Sequence, residues 1–169
     1  MDRQIIYPNP DNNLERTRWY MGGFLTFIAT AKDTAGKFAL IETIMRKGLE
    51  PPGHTHTRED EGFYVLEGEI LFTVGEKQTL AKAGDYVYLP KGIPHSFKIQ
   101  TDTTKFLLQI TPAGLEEMFI TVSRPAEKPE LPPPPSGPPS PDFIKFMGEL
   151  TVKYGLQNLD HTQVKAANV

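Results

Sequence analysis

The chain has 169 residues, 38% of them hydrophobic and 10% aromatic, with a formal net charge of -3. That is enough for one domain with a real core, and it leaves no basic field to attract phosphate backbones, so nucleic acid is set aside as a partner. Cysteine is absent, which removes disulfides and thiolate ligands and accords with a cytoplasmic protein.

Residues 1–13 contain Pro8, Asn9 and Pro10 and, together with the stretch to residue 22, read as an amino-terminal arm that orders by docking on the body or on a second subunit. Trp19, the sole tryptophan, is expected as a partly buried packing residue. The apolar run Gly22 to Ala31 is too short and too polar to span a bilayer, and the residues before it, with Asp2, Asp11 and Glu15, are not a basic leader. It reads as a β-strand, and no membrane partner is expected. Phe24 to Thr30 and Phe38 to Met45 are two strands, joined by the turn-rich Lys32-Asp33-Thr34-Ala35-Gly36.

Chemistry concentrates in Gly48 to Gly68, which holds two of the four histidines. In extended backbone, side chains two apart leave the same face, so His54 and His56 can point at one spot. A four-residue turn follows, and the strand Phe63 to Leu66 can carry Glu61 back beside them. Two imidazoles and a carboxylate are half of an octahedral metal site. Arg58, Glu59 and Asp60 read as solvated turn residues, Glu59 being the rival of Glu61 for the role of carboxylate ligand.

Short strands continue at Glu69 to Val74, Lys77 to Ala81, Tyr86 to Leu89, Ser96 to Gln100 and Lys105 to Ile110, with Pro90-Lys91-Gly92 turning the chain ahead of His95. Eight or nine such strands separated by turn signals predict a β-sandwich or barrel. Alternation puts Phe97 and Ile99 on the face of His95, and Phe63 and Val65 on the face of Glu61. Apolar walls of that kind suit an aromatic or otherwise apolar small molecule, the plain alternative being ordinary core.

The apolar positions 115, 118, 119 and 122 then have helical spacing, ended by Pro125. Nine of the sixteen prolines fall from Pro125 to Pro141 and predict an extended strap. A closing helix is specified by Ser140 as N-cap, Pro141 at the first position and Gly155 as the stop. Its stripe of Phe143, Met147, Leu150 and Tyr154 must pack on the outer face of the body, on its mouth or on a second subunit. Residues 160–169, with His161, read as a loose tail. The expected layout is thus an arm at 1–22, a β-barrel at 23–112 and a carboxy-terminal extension at 113–169.

Gly48, His54, His56, Glu61 and Gly68, followed by Gly84, Pro90, Gly92 and His95, resemble the paired motifs of the cupin family, nine positions at fixed spacing. Ile99 stands where the second motif has Asn, a departure expected to be absorbed locally. The resemblance covers roughly residues 37–111 and implies an all-β, double-stranded β-helix or jelly-roll barrel with His54, His56, Glu61 and His95 as metal ligands. The place of Gly68 relative to Glu61 decides against Glu59. Three imidazoles and a carboxylate suit a divalent transition metal, whether Fe, Mn, Co, Ni, Cu or Zn. The proline strap and the helix ending in Tyr-Gly-Leu are also similar to the tail of quercetin-dioxygenase-like cupins. The implied activity is a metal-dependent dioxygenase acting on a small hydroxylated aromatic, with Glu61 as proton acceptor and Phe63, Val65, Phe97 and Ile99 around the substrate. The alternatives are a metal-dependent isomerase or lyase and a non-catalytic cupin that binds a small molecule. A homodimer is the expected assembly.

Overall fold

A computed structural model describes residues 14–159. The arm's residues 1–13 and the tail with His161 lie outside the described residues. Among those described, the strands form two antiparallel sheets. The first runs β11-β1-β2-β3-β10-β5-β8 and the second β12-β4-β9-β6-β7. The members of the first are β1 (Thr17–Tyr20), β2 (Gly23–Ala29), β3 (Ala39–Arg46), β5 (Asp60–Glu67), β8 (Tyr86–Leu89), β10 (Thr103–Thr111) and β11 (Arg124–Pro125). The second is built from β4 (His54–His56), β6 (Glu69–Val74), β7 (Lys77–Lys82), β9 (His95–Ile99) and β12 (Leu156–Asn158). The expected jelly roll is present, but as two facing sheets that do not close into a barrel, since no strand is shared between them.

Local sequence explains the strands. β3, Ala-Leu-Ile-Glu-Thr-Ile-Met-Arg, alternates buried and half-buried positions along its whole length, the period of a strand with one face on a core. β10 repeats the pattern with Phe106, Leu108 and Ile110 inward. The two pair antiparallel from Thr103 opposite Arg46 to Ile110 opposite Ala39. Between the sheets, Phe63 of β5 packs on Phe106 of β10 and reaches across to Phe72 of β6 and Phe97 of β9, with ring centroids 5.0, 5.1 and 5.4 Å away. Tilted and edge-on rings at this spacing each contribute about 0.5–1.5 kcal/mol beyond their buried area, and they join the two sheets at one point.

The linker read as a plain turn after β2 is a short helix, α1 (Ala31–Thr34), closed by Ala35 in the left-handed region and by Gly36. Glu116, fully buried at the start of α2 (Glu116–Val122), accepts the N–H of Ala31 at 2.7 Å and that of Gly114 at 2.6 Å.

The stretch expected as the end of an arm, Thr17–Tyr20, is a strand of the first sheet, with Trp19 opposite Phe24. Its outer face is covered by the proline strap. Trp19, 8% exposed, donates its indole N–H to Glu130 O at 2.7 Å, Arg46 donates to Pro132 O at 2.9 Å, and the Arg124 guanidinium lies over the indole ring at 4.5 Å. Beyond Pro125 and Ala126, which pair with β1, the strap carbonyls of Glu130 and Pro132 accept from side chains of the sheet.

The closing helix, α3 (Pro141–Lys153), begins as expected, with the Ser140 hydroxyl accepting the Phe143 N–H at 3.2 Å. Of the three possible docking places, α3 takes the mouth: Leu150 is buried in the core, and Met147 and Thr151 line the cavity described next.

Candidate metal centre

β4 and β9 lie side by side in the second sheet, with His54 opposite His95. Glu61 comes from the facing sheet, on β5, between Ile110 of β10 and Leu89 of β8. Glu61, His56 and His95 are buried at 6%, 2% and 2% exposure, and His54 is half-buried. Their inward atoms converge. His54 Nε2 lies 3.0 Å from His56 Nε2, and Glu61 Oε2 lies 3.4 Å from His56 Nε2 and 3.7 Å from His95 Nε2.

The outward nitrogens explain why Nε2 is the inward atom. His54 Nδ1 contacts Pro52 O at 2.8 Å, and His95 Nδ1 contacts Ile93 O at 3.1 Å. A carbonyl can only accept, so each Nδ1 carries the hydrogen and each Nε2 turns a lone pair to the centre. At His56 the corresponding neighbour is the Glu59 carboxylate, 3.7 Å from Nδ1. Glu59, expected as a solvated turn residue, is only 6% exposed. It lies on the side of the His56 ring away from the cluster, too far from Nδ1 for a hydrogen bond but close enough for its charge to act on the imidazole.

Electrostatics follow from this burial. Burial lowers the His54 pKa from the ordinary 6.5 to about 4, helped by neighbouring His56 and partly offset by the Pro52 carbonyl. Burial, with the two other imidazoles, takes His95 to about 3. At His56 burial also acts downward, but Glu59 and Glu61 outweigh it and the net shift is upward. Burial raises Glu61, with Glu59 adding to the rise and His56 opposing it.

The donor set fits a metal ion. Histidine and glutamate atoms all lie within 4.8 Å of one another, while ligands about 2.1 Å from a common ion lie up to about 4.2 Å apart, so a contraction of a few tenths of an ångström suffices. His95 Nε2 is buried without a hydrogen-bond partner, an arrangement that a cation at the centre would satisfy. The cluster suits a divalent transition metal, and its donors do not select among Fe, Mn, Co, Ni, Cu and Zn.

The cluster opens into a cavity of about 200 Å³. Phe63 and Phe97 line it, together with Phe106. Val65 and Ile99 do not: at 0% and 1% exposure they belong to the core. They share a strand face with the pocket residues, but lie further along strands that run on into the packed interior. Ile99 replaces the motif's Asn without leaving its backbone unpaired, because Glu50 Oε1 accepts the Ile99 N–H at 2.7 Å.

Several walls come from outside the motifs: Tyr20 from β1, Met118 and Phe119 from α2, and Met147 and Leu156 from the carboxy-terminal segment. Tyr20 packs on Phe119 at 5.4 Å, and burial raises its phenol to about 12, so it is neutral. The helical stripe at 115, 118, 119 and 122 was a signal that α2 buries one face, but not that the face meets the cavity.

A family model described as a cupin domain matches residues 40–110. Quercetin 2,3-dioxygenase of Bacillus subtilis (strain 168) is 28% identical over 108 residues, 64% of this chain and 32% of that protein. The chain thus spans about a third of that relative's length. Among solved structures, a predicted oxalate decarboxylase from Thermotoga maritima superimposes with a TM-score of 0.52 at 24% identity, covering 58% of this chain and 94% of that one. Pac13, a nucleoside dehydratase of Streptomyces, superimposes with a TM-score of 0.52 at 17% identity, covering 72% of this chain and 92% of that one. These two likenesses show the fold alone. Motif, fold and the cluster of His54, His56, Glu61 and His95 agree, and residues 40–110 of the chain carry a cupin domain.

Proposed function

We propose that the protein is a metal-dependent dioxygenase acting on a small hydroxylated aromatic compound, with His54, His56, Glu61 and His95 as metal ligands. One observation carries this reading: three imidazole nitrogens and one carboxylate oxygen converge at a cavity walled by phenylalanines. Similarity to quercetin 2,3-dioxygenase over 64% of the chain supports it.

When bound, a divalent transition metal would supply Lewis acidity to a ligand hydroxyl, and any of the six except redox-inert zinc would also supply the redox capacity that dioxygen chemistry needs. The chain's own residues do the rest. Phe63, Phe97 and Phe106 hold a flat apolar body by dispersion contact and exclude water from the reacting end. Glu61 accepts the hydroxyl proton at a carboxylate oxygen. Backbone carbonyls of Pro52 and Ile93 keep the imidazoles of His54 and His95 in the ligating tautomer.

We also read the chain as a homodimer. Tyr64, Tyr86 and Tyr88, exposed at 41%, 54% and 54%, cluster on β5 and on the edge strand β8, an aromatic edge of the kind that association covers. No helix among the described residues is long and apolar enough to cross a membrane.

The test is oxygen uptake by the metal-loaded protein with a flavonol, beside His56→Ala. Uptake that is lost in the variant supports the reading, and metal-loaded protein that consumes no oxygen across a broad phenolic set overturns it. Equal turnover under argon would assign a metal-assisted isomerase or lyase instead, and tight ligand binding without product a binding protein.

A further inference from the structure

β4 is three residues long and meets β9 at the His54–His95 pair. A strand so short, held at one point, is a fraying element by itself. On its other side, however, β4 is paired along its whole length with β12, Leu156 opposite His56, Gln157 opposite Thr55 and Asn158 opposite His54. The attachment extends beyond both ends. The Thr57 N–H and hydroxyl donate to Gly155 O at 3.0 and 2.7 Å, Arg58 donates to Lys153 O at 3.0 Å, and the Leu159 N–H donates to Gly53 O at 2.9 Å. Gly155 is required at this junction. It has φ +75°, and a Cβ there would lie 2.6 Å from Thr57 Oγ1 and 2.8 Å from Arg58 Nε. The same segment supplies Met147, Thr151, Leu156 and Asn158 to the cavity wall.

We propose that the carboxy-terminal segment, residues 147–158, is a positioning element of the metal centre: β12 completes the sheet on the side that β9 leaves open and holds His54 and His56 in ligating register. The inference rests on the metal reading above. Its consequence is reciprocal. If docking of β12 favours the geometry that takes the metal, metal binding favours docking of β12 by the same factor. A ligand touching Met147 or Leu156 then senses the segment that holds the histidines, so metal loading and ligand fit are coupled.

The experiment uses the full-length protein with Ni²⁺ alone as probe and follows amide hydrogen exchange. Ni²⁺ is expected to slow exchange about tenfold both in residues 54–56 and in residues 156–159, and to do neither in His54→Ala. Gly155→Val, which forces the junction apart, is expected to bind Ni²⁺ about tenfold more weakly, within the range seen when groups that orient metal ligands are removed. Adding Thr55→Cys and Gln157→Cys to that variant provides a rescue, because the chain has no other cysteine and these two residues are cross-strand partners. Oxidation should restore Ni²⁺ affinity and reduction remove it. The proposal is overturned if Ni²⁺ slows exchange in 54–56 but leaves 156–159 unchanged, or if Gly155→Val binds Ni²⁺ as tightly as the parent. Failure of the parent protein to bind Ni²⁺ would instead overturn the metal reading itself.

Discussion

Glu61 and the histidine pair His54 and His56 face the same point from strands held in different ways. β5, carrying Glu61, is eight residues long and paired on both sides, to β10 from Glu67 to Asp60 and to β8 from Glu61 to Tyr64. β4, carrying the histidines, is three residues long and receives its full-length partner from the other end of the chain. The carboxylate is thus part of the packed body, whereas the imidazoles depend on a tail about one hundred residues away in sequence. Chemistry that needs all four groups in register therefore needs the tail docked, although the tail supplies none of the donors.

The largest effect is expected at Glu61. Glu61→Gln keeps the shape and an oxygen donor but removes the proton acceptor, and activity of the metal-loaded protein should fall on the order of 10²–10⁴-fold with the melting temperature little changed. Steady-state oxygen uptake and thermal melting check this together. Loss of the fold in Glu61→Gln would make the carboxylate structural and erase the contrast.

Next is Phe63, two residues along the same strand. Phe63→Ala removes the ring that packs on Phe72, Phe97 and Phe106 and should cost about 3–5 kcal/mol in denaturant unfolding. A cost below about 1 kcal/mol would show that β5 is not the rigid side of the site.

A third expectation concerns pH. The folded-state pKa values of His54 and His95, about 4 and about 3, lie below the ordinary 6.5, so the unfolded chain takes up these protons first. The stability they contribute is complete above about pH 6.5 and is lost as pH falls toward 4 and then 3. Glu61 and His56, both shifted upward, act oppositely, and their contributions fall as pH rises through their folded-state values. His95→Ala should accordingly flatten the acid limb of the melting temperature of the metal-free protein. An unchanged limb would mean that the histidine side carries no proton-linked stability.

The smallest effect is expected at Ser140. Ser140→Ala removes the cap at the far end of α3 and should cost about 1 kcal/mol of helix stability, seen as faster amide exchange in residues 143–146 while exchange in β12 is unchanged. Equal acceleration in β12 would show that the helix and the strand after it dock as one unit.

Much of the site was legible without coordinates because its information is local. The two-residue spacing of His54 and His56 in extended chain puts both rings on one face, and the return strand carries Glu61 toward them. Glu59 was misread because a charged residue in a turn is ordinarily solvated, and nothing in the neighbouring residues shows that the turn is buried beside His56. Val65 and Ile99 were placed at the pocket because alternation reports which face a residue shares but not how far along the strand the cavity extends. β1, β11 and β12 are short; β1 pairs with its neighbour β2, whereas β11 and β12 pair far from their own sequence neighbourhood. The pattern of β11 and β12 is weak, and pairing with partners such as Trp19 for Arg124 or His54 for Asn158 is what makes them strands.

The chain's resemblance to the cupin motifs implied the jelly roll and the grouping of His54, His56, Glu61 and His95; by itself the sequence determined the succession of short strands, the proline strap, and the boundaries of α3 from Ser140, Pro141 and Gly155. These last are consequences of side-chain periodicity, turn chemistry and capping, all of which act within a few residues. Tertiary structure alone decided that the sheets stay open rather than closing into a barrel, that Glu59 is buried beside His56, that α2 and α3 wall the cavity, and that β12 pairs with β4. Each of those depends on burial and on hydrogen bonds between segments distant in sequence, where many alternative pairings have similar local preference and only the packed whole distinguishes them.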